Sequence, residues 1–332
     1  MSGSAADVAA AISRHDAFLI TSHARPDGDA IGSQLAMAFA LDALGKRVRL
    51  INHDPVPAVY RSFPGADRIV VAPAAPPLPD VAAGAEATIV MECGDLARTE
   101  VTGLERPTVI NIDHHVGNTM FGSVNWFDRT AASCAEMVAD VIDALGVAWT
   151  RDMAAHLYLG IVTDTGGFRH GPISARTFHA SARVAATGVS PALLSREIFD
   201  SFGVGRIRLT GALLNAMELH HDNRLAVLYY DDEILAACGA TTDDTDSLVN
   251  LPLGAKDVLA VALVRKHTDT QYRVSMRSKG AVDVRGVALQ HGGGGHVNAA
   301  ACKVGGSRSS VTAAIVSAVG LALAADDVQS AQ

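Results

Sequence analysis

The chain has 332 residues, 49% of them hydrophobic and 19% charged, a globular composition at a length that suits two domains. A net charge of -8 argues against indiscriminate duplex binding through a basic surface, without excluding a phosphate substrate. Cys93, Cys134, Cys238 and Cys302 lack Cys-x-x-Cys spacing, the first residues carry Asp7, Arg14, His15 and Asp16, and no run is read as a membrane span; a reducing cytoplasm is the expected setting, with no disulfide framework, signal peptide or membrane.

Ala17–Thr21 reads as a short buried strand, Ser22–Asp29 as a polar turn bent by Pro26 and Gly28, and Ala30–Leu44 as a helix closed by Gly45. His23, Asp27 and Asp29 can converge on that turn. One Asp there would serve as a helix N-cap, but His-x-x-x-Asp-x-Asp is more than a cap requires. Arg47–Ile51 is a second strand, and the proline-rich stretch Pro73–Pro79 is a surface connection. Ala87–Met91 is a third, and it ends in Glu92-Cys93-Gly94-Asp95. Two carboxylates are offered here: Glu92 follows the strand directly, whereas Asp95 can cap whatever follows. Val109-Ile110-Asn111-Ile112 then runs into Asp113-His114-His115, an apolar strand that delivers an acid and two imidazoles to the crevice where open α/β sheets bind ligands.

Ala131–Leu145 reads as a helix with Glu136 and Asp140 on its solvated face, and the apolar helix from Met153 ends at Asp164. His156, His220 and His221 read as structural, while Arg169 and His170 suit either substrate or local packing. Residues 191–223 look like a helical linker. Beyond it, Arg224–Tyr230, Val258–Val264 and Gln271–Arg277 are strands, the last placing Arg273 and Arg277 on one face with Ser275. Between Ala255 and Ser310 basic residues outnumber acidic ones. In Gln290-His-Gly-Gly-Gly-Gly-His-Val-Asn298 the glycines let main-chain N–H groups approach an anion, and a helix N-terminus just behind them would add to the attraction. Gly293, Gly294, Gly295 and His296 therefore suit a phosphate cradle.

Packed alone, the carboxylates among His23, Asp27, Asp29, Glu92, His114 and Asp164, with Asp113 and His115 beside them, would repel one another and suffer desolvation. Two divalent ions resolve the conflict. Oxygen and imidazole donors without thiolate suit manganese or magnesium, the histidines favouring manganese, and the affinity order also permits cobalt or zinc. Such a pair fits hydrolysis of a phosphate ester.

His23-Ala-Arg-Pro-Asp-Gly-Asp29, Asp113-His-His115, Thr163-Asp-Thr-Gly166 and Gly292-Gly-Gly-Gly-Gly-His296 resemble, in order, the motifs of the DHH phosphoesterases with a DHHA1 domain, and among them the stand-alone bacterial nanoRNase and pAp-phosphatase proteins. The resemblance implies an α/β fold. A catalytic domain with a mainly parallel sheet flanked by helices (1–190) is joined by the helical linker (191–223) to a smaller α/β DHHA1 domain (224–332). It further implies that His23 and Asp27 bind one manganese and Asp29, His114 and Asp164 the other, with the acid after the third strand bridging both and His115 beside the reacting phosphate. Arg277, the glycines and His296 would hold the non-scissile part of a short single-stranded RNA or small nucleotide, and a homodimer is expected. The sequence departs from the family in having Glu92 where Asp is usual, and Ala301 where Ala-Ala-Gly is common. A manganese pyrophosphatase and a non-catalytic RNA-binding module are the competing readings.

Overall fold

In the computed structural model residues 2–72, 84–104, 106–245 and 248–330 are described, in two compact units, Met1–Ser201 and Phe202–Gln332. The Pro73–Pro79 connection lies outside the described residues. The first unit comprises α1 (Ala5–Ile12), β1 (Ala17–Thr21), α2 (Gly28–Ala43), β2 (Arg47–Asn52), β3 (Ile69–Val71), β4 (Ala87–Met91), β5 (Thr108–Asp113), β6 (Val124–Phe127), α3 (Cys134–Ala144), α4 (Arg151–Asp164), α5 (Ala175–Ala186) and α6 (Pro191–Phe199). Its six-stranded sheet has the order β3-β2-β1-β4-β5-β6, every pair parallel.

Both faces of this sheet are covered, which is why its strands are continuous apolar runs rather than alternating ones. Phe18 and Ile20 of β1 join the large core with Ile31, Leu35 and Leu157, whereas Leu19 meets Ile51, Val101 and Leu104 on the opposite face. Chain order reverses between β1 and β4, so the crevice beyond their carboxyl ends is a topological switch point. Three of the acidic motifs follow β1, β4 and β5 there, and the fourth arrives on α4.

Small residues bring α4 to α2. A Cβ at Gly32 would lie 2.4 Å from the His156 carbonyl oxygen, and one at Gly28 would lie 2.5 Å from the Thr163 side chain. α3 starts three residues later than its apolar pattern suggests, because the Ser133 hydroxyl accepts from Glu136 N and caps it there. Glu136 is not on a solvated face. It is buried, accepting from Thr177 Oγ1 at 2.7 Å, with Arg176 Nε 3.2 Å away. Packing of α5 against α3 produces this burial, and Arg176 also binds Asp128 and the half-buried Asp140.

The second unit comprises α7 (Val204–Asn215), β7 (Glu218–His220), β8 (Leu225–Tyr230), α8 (Asp232–Cys238), β9 (Ala260–Thr268), β10 (Gln271–Ser278), α9 (Val284–Gln290), β11 (Gly294–His296), β12 (Ala299–Gly305) and α10 (Arg308–Ser330). Its sheet runs β11-β12-β10-β9-β8-β7, with β8 and β9 parallel and the other pairs antiparallel. α9 and α10 share a core with Val274 and Met276 on one face, and α7 and α8 share another with Val261 and Leu263. The helices expected to form a separate linker are divided between the units, since each has its own apolar contacts: Ile198 of α6 joins the first core and Leu209 and Leu213 of α7 the second.

α10 also departs from the sequence reading. Its stretch Arg308–Asp326 has a mean hydropathy of 1.6, long and apolar enough by length and composition to cross a membrane. Its alanines obscure a simple stripe, in which Val311, Ile315, Val319 and Leu323 recur every fourth residue and are buried in the second unit's core.

His156 is structural, as its apolar surroundings imply. Its ring stacks on Phe39, its Nε2 donates to Pro64 O at 2.8 Å, and its Nδ1 has no partner among the described residues. Burial holds its pKa down at about 4. A histidine depressed in the folded state costs stability as pH falls from its unfolded value near 6.5 towards 4, because the unfolded chain takes up the proton first. Urea unfolding across that window should therefore show a shallower acid limb for His156→Phe than for the wild type, by on the order of 3 kcal/mol at its foot.

Candidate functional site

The turn after β1 supplies the first donors. His23 donates through Nδ1 to Ala24 O at 2.9 Å, which leaves Nε2 as its other donor atom, 3.9 Å from Asp27 Oδ2. Asp27 is also the N-cap of α2, its Oδ1 accepting from Asp29 N and Ala30 N. The capping role thus occupies one oxygen and leaves the other towards His23. Asp29 is fully buried and accepts from Cys134 N at 2.6 Å, Ala135 N at 2.9 Å and Ser33 Oγ at 3.1 Å. The first two are free N–H groups of the opening turn of α3, where a carboxylate is favoured by the helix dipole.

Glu92 and Asp95 are separated clearly. Asp95 caps a short 3-10 helix (Leu96–Thr99) by accepting from Ala97 N at 2.8 Å. Glu92 is buried with its backbone in the left-handed region at φ 55, its Oε1 lies 3.3 Å from His114 Nε2 and 3.4 Å from His115 Nε2, and its Oε2 has no hydrogen-bond partner among the described residues. His114 donates through Nδ1 to Ala131 O at 3.1 Å, and its Nε2 is also 3.5 Å from Asp164 Oδ2. Donor atoms of Glu92, His114 and His115 lie within 4.8 Å of one another, as do those of Asp29, His114 and Asp164. Asp113 stands behind this cluster and reaches it through His115, whose Nδ1 is 2.8 Å from Asp113 Oδ1.

The charges are in tension. Burial, with Glu92 and Asp164 close by, pushes the Asp29 carboxyl well above the usual range, and burial with Glu92 and Asp27 pushes Asp164 up to about 7 despite His114. Burial also opposes the charge on Glu92, but His115 and His114 outweigh it and hold Glu92 well below the ordinary value. His114 is raised although burial works against it, because Glu92, Asp164 and Asp29 face it. The crowding of acids that favours protons on Asp29, Asp164 and His114 also favours a divalent cation among them, and the orphaned Glu92 Oε2 is a ready ligand. The donor set of carboxylates and imidazoles fits manganese or magnesium.

Arg169 and His170 make local contacts: Arg169 Nε donates to Gly166 O at 2.7 Å, and a Cβ on Gly166 would strike the His170 ring. In the second unit Arg277 and His296 both pair with Ala299, from opposite sides of β12, so they share one face of the sheet, and Arg273 lies farther along that face beside Lys303. The helix end at the glycines is a C-terminus, contrary to the sequence reading. Gly292 (φ +68) closes α9, and Gly293 N donates to Ala288 O. A Cβ at Gly293 would fall 2.2 Å from Ala301 O, so this glycine lets the chain lie against β12. Ala301 is an ordinary strand residue paired with Ser275 and is not among the residues of positive φ, so the alanine is accommodated without strain.

Two residues near the cluster escape the sequence reading, Asn111 and Asn118. The signal for Asn111 was a polar amide inside a strand buried on both faces; Asn118 has none.

A doubly wound parallel sheet with acids and imidazoles at its switch point, followed by a mixed sheet with a glycine-rich edge, defines the architecture. Residues 17–161 match the N-terminal domain of the DHH family and residues 227–321 match the DHHA1 domain. The chain belongs to the DHH family. It is 32% identical over 287 residues to the bifunctional oligoribonuclease and PAP phosphatase NrnA of Thermus thermophilus, covering 86% of this chain and 84% of that protein. An exopolyphosphatase-related protein from Bacteroides fragilis has the same fold, with a TM-score of 0.86 at 24% identity and 95% of each chain covered. Exonuclease RecJ, solved bound to manganese, has a TM-score of 0.57 at 14% identity, covering 97% of this chain and 95% of that one.

A Cβ at Gly160 would fall 2.4 Å from both Ala135 Cβ and Asp29 Oδ1. Gly160→Ala should lose about 1–3 kcal/mol in urea unfolding through overpacking and weaken divalent-ion uptake in calorimetry. Gly211→Ala, in α7 with open space at the added Cβ, should instead gain about 1 kcal/mol.

Proposed function

We propose that the protein is a divalent-metal phosphoesterase that hydrolyses short oligoribonucleotides, dinucleotides such as pApA, or 3′-phosphoadenosine 5′-phosphate. The observation that carries this reading is the pair of donor clusters that share His114, one with Glu92 and His115 and the other with Asp29 and Asp164, beside a buried Glu92 Oε2 that has no hydrogen-bond partner among the described residues. The name of the Thermus relative, an oligoribonuclease and PAP phosphatase, supports the substrate class.

His23 and Asp27 would hold one ion, Asp29, His114 and Asp164 a second, and Glu92 would bridge them. Manganese is favoured by the histidines, with magnesium or cobalt as substitutes. Ions held there supply the positive charge needed at the attacking and leaving oxygens of an in-line phosphoryl displacement. The protein's part is to fix the donors: Nδ1 of His23 and of His114 is occupied by a carbonyl, so each ring offers Nε2. His115 would orient the reacting phosphate or move a proton at Nε2, with Asp113 holding its other nitrogen. In the second unit Arg273, Arg277, Gly293, Gly294, Gly295 and His296 would bind the remainder of the nucleotide. The shared sheet face of Arg277 and His296 supports this, whereas the C-terminal helix end beside the glycines adds no attraction for an anion.

Purified protein should turn over pApA and a five-nucleotide RNA with manganese and stop on chelation; full turnover after exhaustive chelation sinks the reading. Asp164→Ala should lose about 100-fold or more in rate. Glu92→Gln should damage activity far more than Asp95→Asn, and the reverse order moves the bridging role to Asp95. Arg277→Ala and His296→Ala should cripple hydrolysis of pApA and largely spare bis(p-nitrophenyl) phosphate, which has no second phosphate to hold. Equal losses on both substrates, with metal content unchanged, would remove these residues from nucleotide binding.

A further inference from the structure

Asn111 and Asn118 form a hydrogen-bonded chain that none of the roles above uses. Asn118 Nδ2 donates to Asp113 Oδ2 at 2.7 Å and to Asn111 Oδ1 at 2.8 Å, and Asn118 Oδ1 accepts from Met120 N at 2.7 Å. Asn111, fully buried, donates through Nδ2 to the carbonyls of Val90 at 3.2 Å and Cys93 at 3.0 Å, on either side of Glu92. The directions are forced. Backbone carbonyls only accept and the Met120 N–H only donates, so Asn111 must present its N–H groups to Val90 and Cys93, and Asn118, with its oxygen towards Met120, must present its own to Asn111 and Asp113. Each amide then has both N–H groups and its oxygen engaged, which is the condition under which a buried polar network specifies one arrangement.

The chain ends on two functional groups. At one end Asp113, steadied through Oδ2, accepts from His115 Nδ1 through Oδ1, which keeps the ring proton on Nδ1 and turns Nε2 towards Glu92 Oε1 at 3.4 Å. At the other end Asn111 ties down the two carbonyls that flank the left-handed backbone of Glu92. A strained residue persists only where its surroundings over-determine it.

We propose that Asn118 and Asn111 are positioning residues of the hydrolytic site: Asn118 fixes the His115 tautomer through Asp113, and Asn111 holds the turn that aims Glu92. The proposal rests on the phosphoesterase reading for its kinetic consequence, but not for its structural one. A purely structural role for Asn118 would lower stability and leave the proton of His115 where it is.

The test uses the full-length protein with 15N-histidine, loaded with magnesium, which is diamagnetic, above the pH at which the His115 ring shifts stop changing, so that tautomers rather than protonation are compared. His115 is identified among the 13 histidines by its loss in His115→Gln. In the wild type, His115 should show a protonated Nδ1 and an unprotonated Nε2. In Asn118→Ala the two ring shifts should move towards each other as the tautomers mix, with kcat on pApA down about 10- to 100-fold, KM within about threefold and bound metal unchanged. Asn118→Ser, whose hydroxyl can still donate to one acceptor, should lie between the two, and it carries the same test if the alanine variant does not fold. Wild-type ring shifts in a folded Asn118 variant would overturn the proposal, whatever its melting temperature, as would an unchanged kcat. If the wild type hydrolyses no phosphate ester, the phosphoesterase reading fails, and the ring shifts still decide whether Asn118 sets the tautomer.

Discussion

Gly32 and Gly160 let α2 and α4 meet at backbone distance, and that contact decides where Asp29 and Asp164 stand. Asp29 sits in the first turn of one helix and Asp164 in the last turn of the other, so the closeness of the crossing becomes the closeness of the carboxylates. The placement of Asp164 is electrostatically unfavourable twice over: it lies near other acids and at a helix C-terminus, where the dipole repels negative charge. Asp29 shares the crowding by other acids but faces the N-terminus of α3, where the dipole favours its charge. The fold's own dipoles therefore favour the charge on one acid of the pair, whereas His114 favours it on the other.

Much of this was legible in the sequence because parallel strands buried on both faces announce themselves as apolar runs, and their ends as abrupt polar residues. β1, β4 and β5 are recognised within a residue or so, and with them His23, Asp27, Asp29, Glu92 and Asp113–His115. Glu136 was misjudged because its burial is created by α5, a contact 41 residues away in the chain. At the glycine run it was the polarity of the neighbouring helix that was misjudged, because a glycine that closes one helix looks the same in sequence as one that precedes the next. α10 was passed over because its buried residues are separated by alanine and serine, which blur the stripe.

Glu92 carries backbone strain at the edge of the cluster. Here the residue adopts a left-handed conformation, at a cost on the order of 1 kcal/mol. That cost falls beside the functional cluster, in a turn fastened by the amide of Asn111, while Ala301, the other departure from the family, fits a regular strand at no such expense.

The carboxylate of Asp29 accepts from the backbone of Cys134 and Ala135 with both its oxygens, and this ties the state of the cluster to the start of a helix. Anything that neutralises Asp29 weakens two of the bonds that hold the opening turn of α3, and anything that keeps it ionised strengthens them. By linkage, a ligand that binds the cluster and the winding of that turn must stabilise each other. Slow hydrogen–deuterium exchange at Cys134 and Ala135 would then follow cation loading without any change in overall shape, making two amides in a buried helix a gauge of the site's charge.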